Sequence, residues 1–517
     1  MKWDGDVDGE PVTTTAVPPL EYGSRAGRLV LLATVLASGV AFLDATVVTV
    51  ALPRIGTDLD AGLSALQWVL DGYLLTLGSL VLVGGALGDL LGRRRVFLWG
   101  MYGFAATSLA CGLAPDATTL VAARMAQGAS AALLAPASLA ILSASFAPED
   151  RGRAIGAWSG LSGVATAFGP FVGGWLVDAA SWRWVFLLNL PLLAGAVVVT
   201  LTSVPEDRGT GAGVRGRELL RRVDLPGAAL TVAGLALVVA PLIEAGRLPA
   251  WAVVAGVTAG LALLAGFVAW ERRTPWPMLP PGLFRIRTFS VANVVTLFVY
   301  GALSAMSFLL SLALQSGLGW SALAAGAALF PITVVLLLFS PGVGALLPRV
   351  GARPLLTAGP LLAAVGLVLL ARLEIGDGYV DGVLPGLLVF SVGLVLVVTP
   401  VTTTALTDVP ADRQGVASGA NNAVARVAGL LAIAVLPVLA GLTASEAGPV
   451  SPEALVDGVG RAMLVAAALC ALGGGVAAVA LRTSDCAGEP PEPHPTPVPC
   501  PQAEAPRPGP RPGPGLE

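Results

Sequence analysis

Lysine and histidine are almost absent from this sequence: its 517 residues include one histidine, His494, and a single lysine, Lys2. A P-loop needs an interior lysine to hold nucleotide phosphates, so the chain has no site of that kind. Without an interior histidine it has no histidine general base and no histidine proton relay. Any uphill work must therefore draw on an ion gradient.

Cysteine and charge are also scarce. The four cysteines show no metal-ligand spacing, so no metal site is assigned. Only 12% of residues are charged and 55% are hydrophobic, whereas soluble domains have about a quarter charged residues. The sequence has no basic stripe of the kind that binds nucleic acid, so we expect no nucleic-acid partner. It also offers no nucleophile, base and orienting group that could be assembled into an enzyme site. These features predict an all-α polytopic membrane protein.

Fourteen apolar segments follow one another between about residues 29 and 481, each suited to cross a bilayer as a helix. Most of the 30 lysines and arginines fall in cytoplasmic segments if both termini are cytoplasmic. The first residues are acidic and polar and do not resemble a signal peptide. We therefore expect fourteen spans with both ends inside.

The predicted organisation has five parts. They are a cytoplasmic tail (1–27), a six-helix bundle (28–204), a linker with two extra helices (205–289), a second six-helix bundle (290–482) and a cytoplasmic tail (483–517). The last part is too rich in proline and too polar to pack, so we expect it to be disordered.

Asp44 lies near the middle of the first apolar segment. An ionised carboxylate there costs about 2.5–3.5 kcal/mol on insertion scales, which indicates an ion-coupling role. Arg124 lies about two turns into the fourth segment, with Gln127 on the same helical face. The simplest hypothesis pairs Arg124 with Asp44. The alternative is that the Arg124 side chain extends to the outer surface and forms no such pair.

The second and third segments are joined by a motif that runs from Gly85 to Arg95. Its glycines suggest a sharp turn, its acid a helix cap or ion pair, and its arginines a cytoplasmic location. An ordinary positive-inside turn explains the arginines but not the Gly-Asp-Gly spacing. The residues assigned to this gating loop are Gly85, Asp89, Gly92, Arg93 and Arg94.

The fifth segment carries closely spaced small residues and a proline, namely Gly169, Pro170, Gly173 and Gly174. Such residues permit close helix approach, and proline favours a bend. The pattern is explained either by packing alone or by a flexing helix that takes part in transport.

Taken together, these motifs resemble those of the 14-span drug:proton antiporter family of the major facilitator superfamily. The matched residues are Leu43, Asp44, Thr46, Val47, Val48, Ala51, Leu52 and Pro53, those from Gly85 to Arg95, Arg124 with Gln127 and Gly128, Gly169, Pro170, Gly173 and Gly174, those from Trp182 to Pro191, and Leu283 to Arg285 with Phe289. The resemblance implies the major facilitator fold with fourteen helices. It also implies a monomer in the bacterial cytoplasmic membrane that exports lipophilic, cationic drugs in exchange for protons, without a cofactor.

Three positions depart from the family pattern. Thr49 stands where asparagine is common, Ala165 replaces a glycine, and Pro348 stands where the second Gly-Asp loop has an acid. Gating at that second loop should therefore depend on Arg349 and Arg353 with backbone carbonyls.

A second candidate for proton coupling is Asp71, which would attract a cation or relay protons to Asp44. A solvated acid at a helix start is the alternative. Spans nine to fourteen contain no acid in their apolar stretches, so we expect them to form the substrate wall. The substrate-cavity residues are predicted to be Gln127, Thr402, Asn422 and Arg426.

Two other functions share these features. A dedicated exporter or facilitator of one metabolite or self-made antibiotic would have the same fold, since fold does not define the ligand. A non-transporting membrane receptor would need neither the acid of the first span nor the arginine of the fourth.

Overall fold

The computed structural model describes residues 19–206, 223–410, 413–442 and 451–481, and these fold into helices. In chain order the helices are α1 Arg25–Asp58, α2 Leu63–Leu91, α3 Arg93–Gly112, α4 Ala117–Ser145, α5 Pro148–Ala179, α6 Arg183–Ser203, α7 Leu225–Ile243, α8 Ala250–Glu271, α9 Arg287–Gly317, α10 Ala322–Val350, α11 Ala352–Leu370, α12 Tyr379–Thr407, α13 Gln414–Leu439 and α14 Pro452–Ala480.

Thirteen of the described helices are long and apolar enough to cross a membrane. The remaining α-helix of this set, α3, is also among the predicted spans; it begins with three arginines and packs along α4. A short 3-10 helix, Pro281–Arg285, precedes α9. The protein is therefore a multi-pass membrane protein. Most of the predicted first tail, the charged loop at 207–222 and the Pro-rich tail lie outside the described residues.

The helices form two bundles with a pair of helices beside them. Helices α1 to α6 pack mainly on one another, as do α9 to α14. The pair α7 and α8 packs together, and α7 also contacts α2 of the first bundle and α13 of the second. Helix α7 therefore lies against both bundles.

In each bundle a single glycine with positive φ separates two consecutive helices. Gly92 (φ 98°) separates α2 from α3, and Gly351 (φ 78°) separates α10 from α11. Side chains with a Cβ rarely adopt these angles, which explains why glycine is required. The prediction that Gly85 also allows a turn was wrong, because the helix continues through it to Leu91.

The two bundles meet closely where α5 contacts the start of α10. We call this end of the molecule the outer end, following the predicted topology. A Cβ added to Gly174 would lie 2.5 Å from the carbonyl oxygen of Ala322, and one added to Gly326 would lie 2.1 Å from that of Pro170. The Asp178 carboxylate accepts hydrogen bonds from the N–H groups of Ala322 (3.2 Å) and Leu323 (2.8 Å). We call these contacts the outer seal.

Further from the outer seal, the close contacts between α5 and α10 are not repeated. A Cβ added to Gly160 or Gly163, both nearer the inner end, would meet nothing within 4 Å. The outer ends of the bundles are also joined by Gln315, whose amide donates to the carbonyl oxygen of Val50 at 3.0 Å. Along α5, therefore, the bundles touch at the outer end and part toward the inner end.

Candidate proton-coupling site

The centre of the first bundle holds a buried ion pair between Asp44 of α1 and Arg124 of α4. Both residues are 0% exposed. The Arg124 guanidinium also donates to the carbonyl oxygen of Val69 at 3.0 Å and to Oε1 of Gln127 at 2.7 Å. The predicted pairing is present, and the alternative in which Arg124 reaches the outer surface is wrong, because its side chain is fully enclosed.

Two amides complete the surroundings of the Asp44 carboxylate. Oδ1 accepts hydrogen bonds from Gln127 Nε2 at 3.1 Å and from Asn189 Nδ2 at 2.9 Å. Both amides also donate to the hydroxyl of Ser108, at 2.8 Å and 3.3 Å respectively. Removing an ion pair from water is costly unless hydrogen bonds satisfy its remaining atoms. This network supplies those bonds, so it can hold a charged carboxylate inside the bundle.

An aromatic ring covers the arginine. The Tyr73 ring centroid lies 4.3 Å from Arg124 Cζ, and its hydroxyl donates to the carbonyl oxygen of Ala41 at 3.2 Å. A guanidinium over an aromatic face gains electrostatic stabilisation that increases when water is excluded. Tyr73 therefore fixes the guanidinium and links α2 to α1.

The sequence did not assign Ser108, Asn189 or Tyr73 to this site. Asn189 had a usable signal, since it is a lone amide in the apolar run of the matched Trp182 to Pro191 motif. Ser108 had none. The assignment of Gln127 to the substrate cavity was wrong, because its side chain is fully buried and bonded to Asp44.

Asp71 of α2 lies in a different environment. It is 0% exposed, and neither carboxyl oxygen has a hydrogen-bond partner among the described residues. The alternative of a solvated acid at a helix start is therefore wrong. An ionised carboxylate there would be uncompensated, which makes the group costly to keep charged. Its predicted role in proton coupling stays a prediction.

The gating-loop residues lie at the inner ends of α2 and α3, beside the inner end of α6. Arg93 contacts Asp89 at 3.4 Å on the surface, where such a pair contributes little, about 0–1 kcal/mol. Arg94 donates to the carbonyl oxygen of Leu201 at 2.8 Å and pairs with Glu206 at 3.3 Å. Arg94 therefore ties the turn at Gly92 to the end of α6.

In the second bundle, an arginine next to the turn at Gly351 also binds a backbone carbonyl of another helix. Arg353 Nε donates to the carbonyl oxygen of Ala478 at 3.0 Å. The expected pairing of an arginine with a backbone carbonyl at this loop is therefore present.

The glycines of α5 lie at close helix contacts. A Cβ added to Gly169 would lie 2.0 Å from Thr46 Oγ1, and one added to Gly173 would lie 2.8 Å from Val47 Cγ1, both on α1. Gly174 and Pro170 face α10 across the outer seal. These residues therefore join α5 to its own bundle and to the other bundle.

A narrow cavity lies between the bundles, next to the Asp44 network. Its walls include Phe42, Tyr73, Asn422 and Arg426, so both bundles contribute. Asn422 and Arg426 lie in this lining, and their role in binding substrate stays a prediction. Thr402 is exposed and lies outside this lining.

A membrane protein with two helical bundles, a buried acid–base pair and a cavity shared by both bundles belongs to the class of secondary membrane transporters. The family model of the Major Facilitator Superfamily matches residues 34–433. The chain belongs to this superfamily.

Relatives with known names are resistance and export proteins. The chain is 36% identical over 447 residues to the multidrug resistance protein Stp of Mycobacterium tuberculosis, covering 85% of this chain and 81% of that protein. It is 35% identical to the puromycin resistance protein pur8 of Streptomyces alboniger, covering 90% and 92%. It is 36% identical to a probable actinorhodin transporter of Streptomyces coelicolor, covering 88% and 78%.

Solved structures support the fold. A crystal structure of the peptide transporter POT with sulfate superposes with a TM-score of 0.64 at 15% identity, covering 88% of this chain and 96% of that one. At this identity the likeness shows a common fold alone.

Proposed function

We propose that this protein exports small lipophilic drugs or antibiotics across the bacterial cytoplasmic membrane in exchange for protons. The export and resistance proteins among its relatives support this activity. In this proposal both termini are cytoplasmic, the monomer works within membrane lipid, and the proton gradient replaces any cofactor. It performs no enzymatic reaction.

The observation that carries the proposal is the fully buried Asp44–Arg124 pair. A proton that binds Asp44 neutralises the carboxylate that forms the ion pair with Arg124. The guanidinium then loses its only carboxylate partner among the described residues. Breaking a buried pair by neutralising one partner costs about 3–5 kcal/mol. Protonation of Asp44 can therefore change the relative free energies of two bundle arrangements.

The contacts along α5 support an inward-facing arrangement, in which drug enters from the cytoplasm. The outer seal is closed, and the inner half of α5 lacks such neighbours. In the cycle we infer, the bundles rock so that the seal opens, Asp44 takes a proton from outside, and drug leaves. Each net charge moved across 100 mV supplies about 2.3 kcal/mol.

Asp71 is a second group that can carry a proton in this cycle. Its two unpartnered oxygens leave it available for a proton or for a cation that enters the bundle. In this scheme Asp44 couples protonation to the conformation, and Asp71 supplies or accepts the proton.

The test compares wild type with Asp44→Asn in proteoliposomes under an imposed pH gradient. We expect the variant to lose gradient-driven drug accumulation, because its amide cannot cycle between charged and neutral forms. Drug flux and proton flux are measured in the same experiment for a panel of drugs, and a pH-sensitive dye reports the proton flux.

The matched control is Asp116→Asn, at the cap of α4. The Asp116 carboxylate accepts a hydrogen bond from the Thr119 N–H, a role that asparagine also fulfils. This variant should transport like wild type. Full uphill export by Asp44→Asn would refute the coupling scheme.

A dedicated exporter of one antibiotic is a second candidate. Several relatives carry the name of a single compound, among them the tetracenomycin C resistance and export protein of Streptomyces glaucescens, 33% identical over 416 residues. The drug panel separates the two, because a dedicated exporter would exchange protons for one chemical series only.

A further inference from the structure

The cavity between the bundles carries a guanidinium that the coupling site does not use. Arg426 of α13 lies in the cavity wall, partly exposed, with its Cζ 5.5 Å from the ring centroid of Phe42. Within the described ranges it forms no ion pair. Arg124 and Asp44, by contrast, neutralise each other.

No carboxylate balances this charge in the cavity lining. Asp44 and Asp71 are both 0% exposed, and neither contributes to the lining. The fixed charge that the described cavity wall presents to a bound molecule is therefore positive.

Three neighbouring side chains define what fits beside the guanidinium. Phe42 and Tyr73 offer aromatic surface, and Asn422 offers an amide that both donates and accepts hydrogen bonds. Arg426 presents N–H groups in a planar fork that matches two oxygens of a carboxylate.

The cavity holds about 20 Å³ in this arrangement, enough for about one water molecule. A drug-sized molecule would enter only when the bundles separate further. Because α2 and α13 meet at Gly78, where an added Cβ would lie 3.3 Å from the Arg426 Cβ, such separation would expose the guanidinium more fully.

We propose that Arg426 forms an anion subsite of the drug cavity, which selects flat aromatic molecules bearing a carboxylate or phenolate oxygen. The guanidinium has no carboxylate partner among the described residues, and such a ligand supplies one through the two oxygens that its planar fork matches. The proposal rests on the proposed function, in which this cavity holds the drug. It extends the substrate range beyond the lipophilic cations that the sequence suggests.

The test measures binding to the purified full-length protein in detergent by fluorescence anisotropy. The two probes share a xanthene ring system: fluorescein carries a carboxylate and a phenolate, and rhodamine 123 is a cation whose carboxyl is esterified. We expect fluorescein to bind Arg426→Gln about tenfold or more weakly than wild type. Arg426→Lys, which keeps the charge, should lose much less, and rhodamine 123 should bind Arg426→Gln at least as tightly as wild type.

Unfolding temperatures of the variants control for misfolding. Equal fluorescein affinity in well-folded Arg426→Gln and wild type would overturn the subsite, as would an equal loss of both probes. If Arg426→Gln exchanges rhodamine 123 for protons in liposomes but no longer binds fluorescein, both proposals hold. If wild type moves no protons with either probe yet binds fluorescein through Arg426, export fails and the subsite stands.

Discussion

At the scale of single residues, the protein encloses an acid–base pair inside the first bundle. Asp44 is held by one guanidinium and two amides. Arg124 is in turn held by the Val69 carbonyl oxygen and the Tyr73 ring. Because these partners lie on different helices, a change in the charge of Asp44 alters contacts of α2, α4 and α6 together.

The first prediction at this scale concerns the amide of Asn189. Replacing it with alanine removes a donor to the Asp44 carboxylate, and hydrogen bonds to charged groups contribute about 1.5–3 kcal/mol. We expect Asn189→Ala to lower the unfolding temperature and the amount of drug moved per proton, measured in proteoliposomes.

The control for this change is Thr202→Ala on the same helix. The Thr202 hydroxyl is exposed and bonds the Val198 carbonyl oxygen of its own helix, so its loss should leave coupling unchanged. Wild-type coupling in Asn189→Ala would show that the Asn189 hydrogen bond has no part in proton exchange.

At the scale of elements, α5 combines two kinds of packing. Gly169 and Gly173 hold it against α1, and Gly174 holds it against α10 of the other bundle. The first contact lies within one bundle, and the second is the contact that opens in the proposed cycle when the bundles rock. The two readings of this motif, packing and transport, are therefore compatible.

The second prediction of the Discussion concerns the outer seal. A Cβ at position 174 would lie 2.5 Å from the Ala322 carbonyl oxygen, a backbone atom that cannot easily move aside. We expect Gly174→Ala to weaken the seal and favour the outward-open state. The reporter is Ser311→Cys, a position 1% exposed, in a background without native cysteines. Labelling by a membrane-impermeant maleimide from the outside should increase.

Gly160→Ala is the matched control on the same helix, since a Cβ there meets nothing within 4 Å. It should label at the rate of the reporter alone. Equal labelling of the two alanine variants would mean that Gly174 does not maintain the seal.

At the scale of the whole molecule, the inserted helix pair is fixed at its inner end by two acids. Asp224 and Glu271 are 3% and 2% exposed. Asp224 Oδ1 accepts from Trp270 Nε1 at 2.7 Å, and Glu271 Oε2 accepts from the Leu279 N–H at 3.1 Å. The other oxygen of each acid has no hydrogen-bond partner among the described residues, and both oxygens are among the nearest atoms that a Cβ added to Gly227 would meet. One proton between these oxygens would satisfy both.

The third prediction follows from this pair. Glu271→Gln replaces the shared proton with an amide N–H that can donate to Asp224, so its unfolding temperature should stay near that of wild type. Glu271→Ala leaves the Leu279 N–H and Oδ2 of Asp224 without a partner, and unpaired buried polar groups cost about 1–3 kcal/mol each. Its unfolding temperature in detergent should fall by several degrees. A fall in Glu271→Gln as large as in Glu271→Ala would exclude the bridging role.

The sequence by itself determined the class of protein and much of the site. Apolar runs and arginine distribution are local properties, so they defined the spans, and the cost of burying charge singled out Asp44 and Arg124. Only the tertiary structure decided that Asn189 and Ser108 join this network, that Gln127 belongs to it and not to the cavity, and that Asp71 is enclosed. Those outcomes depend on which faces of distant helices meet, and helical spacing within one segment does not contain that information.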